Sequence, residues 1–564
     1  MIKIDRLQKI VYLGLALCII ASLAFACTAP TATPTPSATA TAKPTPTLTP
    51  TATATAKPTP TPTPATTATA KPTSTPTSQY GGDLRIIDNG SPSENLGYPA
   101  YSLPRYNPFL PYPCVELLVR LDEQGLPIPW LATGWQWSSD YKSLTLNLRK
   151  GVKFHDGTDF NAAAVKYDLD LFLPPSKRPE LVNVKSIDVV DDYTVRLNFN
   201  VYDGLIMTHL GTVPGSMVSP TAIKTYGADW CVTHPVGTGP FKLDAFTRDV
   251  ILKYVKFADY WQPGKPYLNS ITFTFIPDLV TARASFLAGE GQVITNLSSK
   301  DAAELQKTGK YNVVSCQQSV AGIASDSAHA DSPFGDVRVR QAVSYAIDNK
   351  AIVDAVGYGL LKTANQIANT KDWAYNPNVV GYPYNPQKAR DLLKAAGYPN
   401  GFKTKLTYAT GNDELASIYL AVQRYLSDVG INVDMDPVTS PKYSQVMTGG
   451  WQSSLVSYSG FIDVGYPTLN TFILNLQKRS ANYVSFLRPD DIQADVEQGT
   501  AETNQDKLSL LVRDLQSLLI DKHCIVNPIN INYRKGATYP TVHDMRLFDP
   551  WWVHWRPENI WLSK

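Results

Sequence analysis

Between Thr28 and Gln79 the chain consists almost wholly of Thr, Pro, Ala, Ser and Lys, with no aromatic or acidic residue before Tyr80. Such a segment cannot bury enough apolar area to offset the entropy of ordering it. A packed core is therefore expected only from Tyr80 onward. The tract itself is expected to be a disordered, polyproline-like spacer. Its TAKPT unit recurs around Lys43, Lys57 and Lys71, a strict spacing of 14 residues. At about 3.1 Å per residue its reach is at most on the order of 150 Å. Thr- and Pro-rich stalks are often O-glycosylated, and composition leaves that open here.

The segment ahead of the spacer explains why a spacer is present. Lys3, Arg6 and Lys9 precede an apolar run, Ile10 to Ala26, which ends in Ala24-Phe25-Ala26-Cys27. Basic flank, apolar stretch and small residues at a cut site make a secretory signal. The run is short for a membrane-spanning helix, which needs about 20 apolar residues. Cys27 resembles the acylated cysteine of a bacterial lipobox, although Ala24 stands where that motif usually carries Leu. Ala24-x-Ala26 also suits ordinary signal peptidase. The expectation is a signal peptide over 1–26, a lipid on Cys27, and a tether over 27–79. The folded body would then sit outside the cytoplasmic membrane, lipid-anchored or in a periplasm.

The body is near neutral, since the whole chain carries 51 Lys+Arg against 49 Asp+Glu. That gives no basic face for nucleic acid. Seven histidines are scattered without a metal-ligand spacing, and no Gly-x-Ser-x-Gly elbow occurs. No catalytic residue, metal or cofactor is expected. Gly237-Thr238-Gly239 lacks the Lys-Ser/Thr of a phosphate loop and reads as a tight turn using glycine's backbone freedom. Asp191-Asp192 and Asp490-Asp491 read as solvated turns. Cys114, Cys231, Cys316 and Cys524 could pair in three ways or stay as free buried thiols.

Periodicity separates an earlier strand-rich half from a later α/β half. Leu144, Leu146 and Leu148 alternate as a half-buried strand, and residues 187 to 199 read as a hairpin about Asp191-Asp192. Asn385-Pro386 caps a helix stopped by Gly397 and Pro399. Residues 403–437 read as one strand-helix-strand unit, which implies a parallel pair with a right-handed crossover.

Four stretches together resemble one family, the extracellular solute-binding proteins of the peptide/nickel ABC importers (bacterial family 5 type). They are Leu146-x-Leu148-Arg149-x-Gly151-Val152-Lys153-Phe154-His155-Asp156-Gly157; Val236-Gly237-Thr238-Gly239-Pro240-Phe241 with Tyr260-Trp261; Phe334 through Arg340-Gln341-Ala342 to Asp348; and Lys388-Ala389 through Ala396-Gly397-Tyr398-Pro399. The opening Tyr80-Gly81-Gly82-Asp83 fits the same pattern. The resemblance implies an α/β, two-lobed periplasmic-binding-protein-like fold of type II, with three domains and an interlobe ligand cleft. By that likeness domain I would take 80–108, 220–305 and 530–564, domain II 109–219 and domain III 306–529. Peptide-binding members hold the ligand's amino terminus on an Asp of the third domain. Asp463 is the counterpart, although Tyr466-Pro467 replaces the usual Asp-Pro. Trp451, Tyr458, Phe461 and Tyr466 would line the same pocket. Asn89, Tyr106 and Asn107 fall in early loops that approach the cleft in family members. Trp551, Trp552, Trp555 and Trp561 are expected in the core of domain I.

The resemblance therefore implies a non-enzymatic, monomeric receptor that takes a peptide or other small molecule by hinge closure and passes it to permease subunits. An oligosaccharide or a chelated metal is the alternative ligand. A stalked glycoside hydrolase is the alternative from another class, and would need two carboxylates about 5–10 Å apart in the cleft.

Overall fold

The structure is a computed structural model. It describes residues 79–564 apart from 91–95, 99, 101–109, 123–124, 174–178, 369, 371–372, 462–466, 479 and 548–554. The signal, Cys27 and the spacer lie outside the described residues, as do Tyr106, Asn107, Asp463, Tyr466, Trp551 and Trp552.

One sheet dominates the fold. Its first half runs, edge to centre, through Phe241–Thr247, Ile251–Lys256, Ser270–Phe275, Asp83–Asp88 and Val293–Ile294. Its second half runs inward through Ile431–Val438, Phe402–Ala409 and Leu455–Phe461. Two long antiparallel strands, Val526–Thr538 and Asn312–Ser325, lie between them and belong to both. The first half packs on a core containing Leu84, Ile86, Phe273 and Trp555, the last 1 % exposed. The second packs on Ile323, Leu406, Ile418 and Val422.

The expected strand-helix-strand unit spans Phe402–Ala409, Asp413–Ser427 and Ile431–Val438, with the strands parallel from Phe402↔Ile431 to Ala409↔Val438. Asn412 caps the helix by accepting from the Leu415 N–H. Gly430 ends the connection at φ 93°, a left-handed conformation that favours glycine. A separate four-stranded antiparallel sheet, ordered Ala132–Trp137, Ser143–Leu148, Thr194–Phe199, Val184–Asp191, carries the expected hairpin. Asp191 Oδ1 accepts from the Tyr193 N–H within its turn.

Asp490-Asp491 differs from its sequence reading. The pair opens the helix Asp490–Ala501 rather than a turn. Asp491 meets Lys522 at 2.7 Å and His523 at 2.9 Å, and an anion in a first helical turn is favoured by the helix dipole. The four described cysteines are buried and outside any disulfide. Trp561 stacks on His543 with ring centroids 3.9 Å apart, at the edge of the core rather than inside it.

Two of the family-like stretches meet in space. His155 Nε2 lies 2.9 Å from the Gly239 carbonyl, and the His155 N–H donates to the Gly237 carbonyl at 2.9 Å. Thr238 Oγ1, Tyr260 Oη and the indole N–H groups of Trp130 and Trp261 all donate to the buried carboxylate of Glu116, at 2.8 to 2.9 Å. Glycine is required at 237 and 239 by close approach and not by a positive φ. A Cβ on Gly237 would lie 2.1 Å from the Cys114 carbonyl oxygen, and one on Gly239 2.6 Å from that of Pro113.

Burial pulls the His155 imidazole down to about 4, and burial pushes the Glu116 carboxyl up to about 7 against its donors and Arg120. Below pH 6.5 the unfolded chain takes up a proton that folded His155 refuses until about pH 4. This contribution is therefore lost as pH falls through that window, by up to about 3 kcal/mol. Glu116 acts in the opposite sense, its contribution shrinking as pH rises from about 4.5 to about 7. Comparing wild type with His155→Gln cancels the Glu116 contribution. Urea denaturation should show the stability gap between the two narrowing from pH 7 to pH 4, whereas a constant gap contradicts a neutral buried His155.

Candidate functional site

Strand register locates a gap between the two half-sheets. Val293–Ile294 pairs with Thr538 and Ala537 of the long strand, with its carboxyl end directed toward lower numbers of that strand. Leu455–Phe461 reaches Ser319 with its own carboxyl end, and Ser319 pairs with Asn532. The two banks thus present their strand carboxyl ends to each other. Residues 533–536 of the long strand are left between them, about 13 Å at ~3.3 Å per residue. Carboxyl ends of strands at a change of sheet direction are where open α/β folds bind ligands.

Burial along the long strand marks the same place. Val526–Thr538 is buried throughout except at Asn532, Tyr533 and Arg534. Its partner strand has register shifts between Gln317 and Ser319 and between Ala321 and Gly322. Local bulges of this kind bend a strand and increase its twist.

A polar cluster forms the first bank's edge of the gap. Asp88 ends its strand and is fully buried; its Oδ1 accepts from the Gly90 N–H at 2.7 Å and from Asn296 Nδ2 at 3.2 Å. Asn296 Oδ1 in turn accepts from Arg534 Nε at 3.2 Å. Asn296 holds φ 54°, which aims its amide between the two charges. Burial raises the Asp88 carboxyl, with Arg534, the Gly90 N–H and Thr295 pulling it back. Burial lowers the Arg534 guanidinium, and Asp88 opposes that.

Of the sequence-derived candidates, Asn89 reaches this edge. It is half-buried and its Nδ2 donates to the Asn296 carbonyl at 3.4 Å. Trp451 and Tyr458 are placed in the second bank's core, 4 % and 1 % exposed, against Tyr483 and Phe486. In this structure both rings are part of the hydrophobic core that also takes in Val456, Phe472 and Phe486. Phe461 supplies the last residue of that strand beside Ser319. Asp88, Asn296, Asn532 and Arg534 were missed by sequence reasoning. A usable signal was Asn530, Asn532 and Arg534 alternating on one face with Ile529, Ile531 and Tyr533 on the other.

A second hollow of about 510 Å³, lined by Asp348, Tyr382, Tyr384 and Asn527 among others, lies elsewhere. It flanks the far end of the long strand, at 527–529, and shares no residue with the gap. Among the described residues no group of acidic, His or Cys side chains could hold a metal ion, and no helix is long and apolar enough to cross a membrane.

Two half-sheets facing each other across shared strands define the two-lobed binding proteins. Residues 127–479 match the family described as bacterial extracellular solute-binding proteins, family 5 Middle, and the chain belongs to that family. Curated relatives include the glutathione-binding protein GsiB of Escherichia coli O1:K1, 34 % identical over 326 residues, or 57 % of this chain and 63 % of that protein. GsiB of Salmonella choleraesuis is 36 % identical over 305 residues, 53 % of this chain and 59 % of that one. The match thus spans under two thirds of these relatives. Among solved structures, Helicobacter pylori DppA in complex with the peptide STSA gives a TM-score of 0.75 at 23 % identity, over 86 % of this chain and 99 % of that one. Brucella suis NikA in complex with Fe(III)-EDTA gives 0.75 at 23 %, over 85 % and 100 %. These structural likenesses establish the fold.

Arg534→Met should raise the Asp88 carboxyl further by removing the cation that opposes burial. A carboxyl whose folded value lies above its unfolded one loses its contribution as pH rises. The variant's stability deficit should therefore grow from pH 4 to pH 8, to about 1–3 kcal/mol in urea titrations. A deficit independent of pH would show that the two groups do not interact.

Proposed function

We propose that this chain is an extracytoplasmic receptor of an ABC importer that captures a short peptide by hinge closure and delivers it to the permease. The observation that carries the reading is the polar gap between two facing banks in a family 5 chain. A gap of about 13 Å suits an extended peptide of two to four residues at ~3.3 Å each. The similarity to proteins named for binding glutathione, a tripeptide, favours the same size. Ligand shifts a pre-existing open–closed equilibrium by no more than its preference for the closed form. The receptor makes and breaks no bond.

In this reading Asp463 receives the peptide ammonium, a charge-assisted contact. Phe461 and Tyr466 flank it, while Asn89, Tyr106 and Asn107 approach from the first bank. Trp451 and Tyr458 hold the strand Leu455–Phe461 in place. The three-domain division given above, with the second domain inserted into the first, is part of the same proposal. The export signal, a lipid on Cys27 and the Thr/Pro spacer tether a monomer outside the membrane.

Native mass spectrometry of the protein as isolated from an exporting host tests the ligand class. A retained mass matching a di- to tetrapeptide or glutathione is expected. A retained oligosaccharide or metal chelate overturns the peptide reading. In calorimetry, Asp463→Asn should weaken the retained peptide at least tenfold, and an unchanged affinity removes Asp463 from the site.

A further inference from the structure

Glu414 stands in the first turn of the helix Asp413–Ser427, which is anchored in the second bank's core by Ile418, Tyr419 and Val422. Its carboxylate nonetheless ends on the first bank. Glu414 Oε1 accepts from Lys535 Nζ at 3.1 Å, and Oε2 accepts from the Ser299 N–H at 2.8 Å. Ser299 begins a helix whose Ala302 and Leu305 pack with Ala537 in a core on the first bank. Lys535 is in the stretch of the long strand between the banks, and its other partner is the Tyr533 carbonyl at 3.0 Å. The Lys535 and Glu414 side chains are 2 % and 11 % exposed, so the pair is shielded from salt and water.

The direction of this contact is informative. Glu414 follows the carboxyl end of its strand, and Ser299 follows the carboxyl end of Val293–Ile294. Both therefore lie on the sides that face across the gap. A rotation that opens the gap about the long strands separates the carboxylate from the Ser299 N–H, while Lys535, on the long strand itself, stays with the hinge.

We infer that Glu414 is a positioning residue: a strut across the root of the cleft that favours the closed arrangement and so sets ligand affinity without touching ligand. The inference rests on the receptor reading above. Apparent affinity scales with the fraction of chain that is closed, so a tenfold loss of that fraction weakens binding tenfold.

Spin labels at Val280→Cys and Leu420→Cys, exposed positions on the two banks, report the separation directly. The native body cysteines are buried, and Cys18→Ser with Cys27→Ser keeps the full chain free of lipid and label ahead of the body. The distance distribution is measured without ligand, so it stands or falls apart from the ligand assignment. Glu414→Gln, and Glu414→Gln with Lys535→Met, should both shift it to longer, broader distances. Binding of glutathione, used as the probe where the unsubstituted chain binds it, should weaken about tenfold in both. Wild-type distributions in both variants overturn the strut. A shift in the single variant alone also overturns it, because it would then reflect an unpaired Lys535 charge.

Discussion

The pairing of Asn312–Ser325 with Val526–Thr538 is the constraint on which the rest of the structure depends. One antiparallel ladder serves as the inner edge of both half-sheets, so neither bank can rotate without twisting it. Its ends are buried in separate cores, while its middle, Asn532 to Arg534, is only partly buried, with Asn532 and Arg534 on one face and Tyr533 on the other. The same residues thus act as the tie between the banks and as the floor of the site. Under the proposed closure, the backbone hydrogen bonds of this ladder would persist while the banks turn.

The family-like stretches have a different task. His155, Gly237, Thr238, Gly239, Tyr260 and Trp261 meet around Glu116 and Cys114. A carboxylate with four donors around it in a buried site is costly to disturb from either side. These two motifs therefore hold this part of the fold together.

Local chemistry was legible in the sequence. Alternation at Leu144, Leu146 and Leu148, the Asn385 cap, and the strand-helix-strand unit all follow from spacing within a few residues. The polar edge was not, because Arg534 meets Asn296 from 238 positions away and Glu414 meets Lys535 from 121. No periodicity records which distant strands become neighbours. Trp451 and Tyr458 show the converse problem. An aromatic near a site looks the same in sequence whether its ring lines the cleft or fills a core, and both rings here are buried in the core cluster of the second bank. Gly237 and Gly239 were legible as required glycines, but the reason is the Cys114 and Pro113 carbonyls and not backbone freedom.

The central claim is that the middle of the shared ladder is both hinge and floor. Amide hydrogen exchange of the full chain, with and without saturating peptide ligand, tests it at residue level. The account predicts slowed exchange concentrated at 316–319 and 532–535, with the four-stranded sheet of 132–199 unchanged. Protection confined to the hollow beside 527–529, or to that separate sheet, would contradict it.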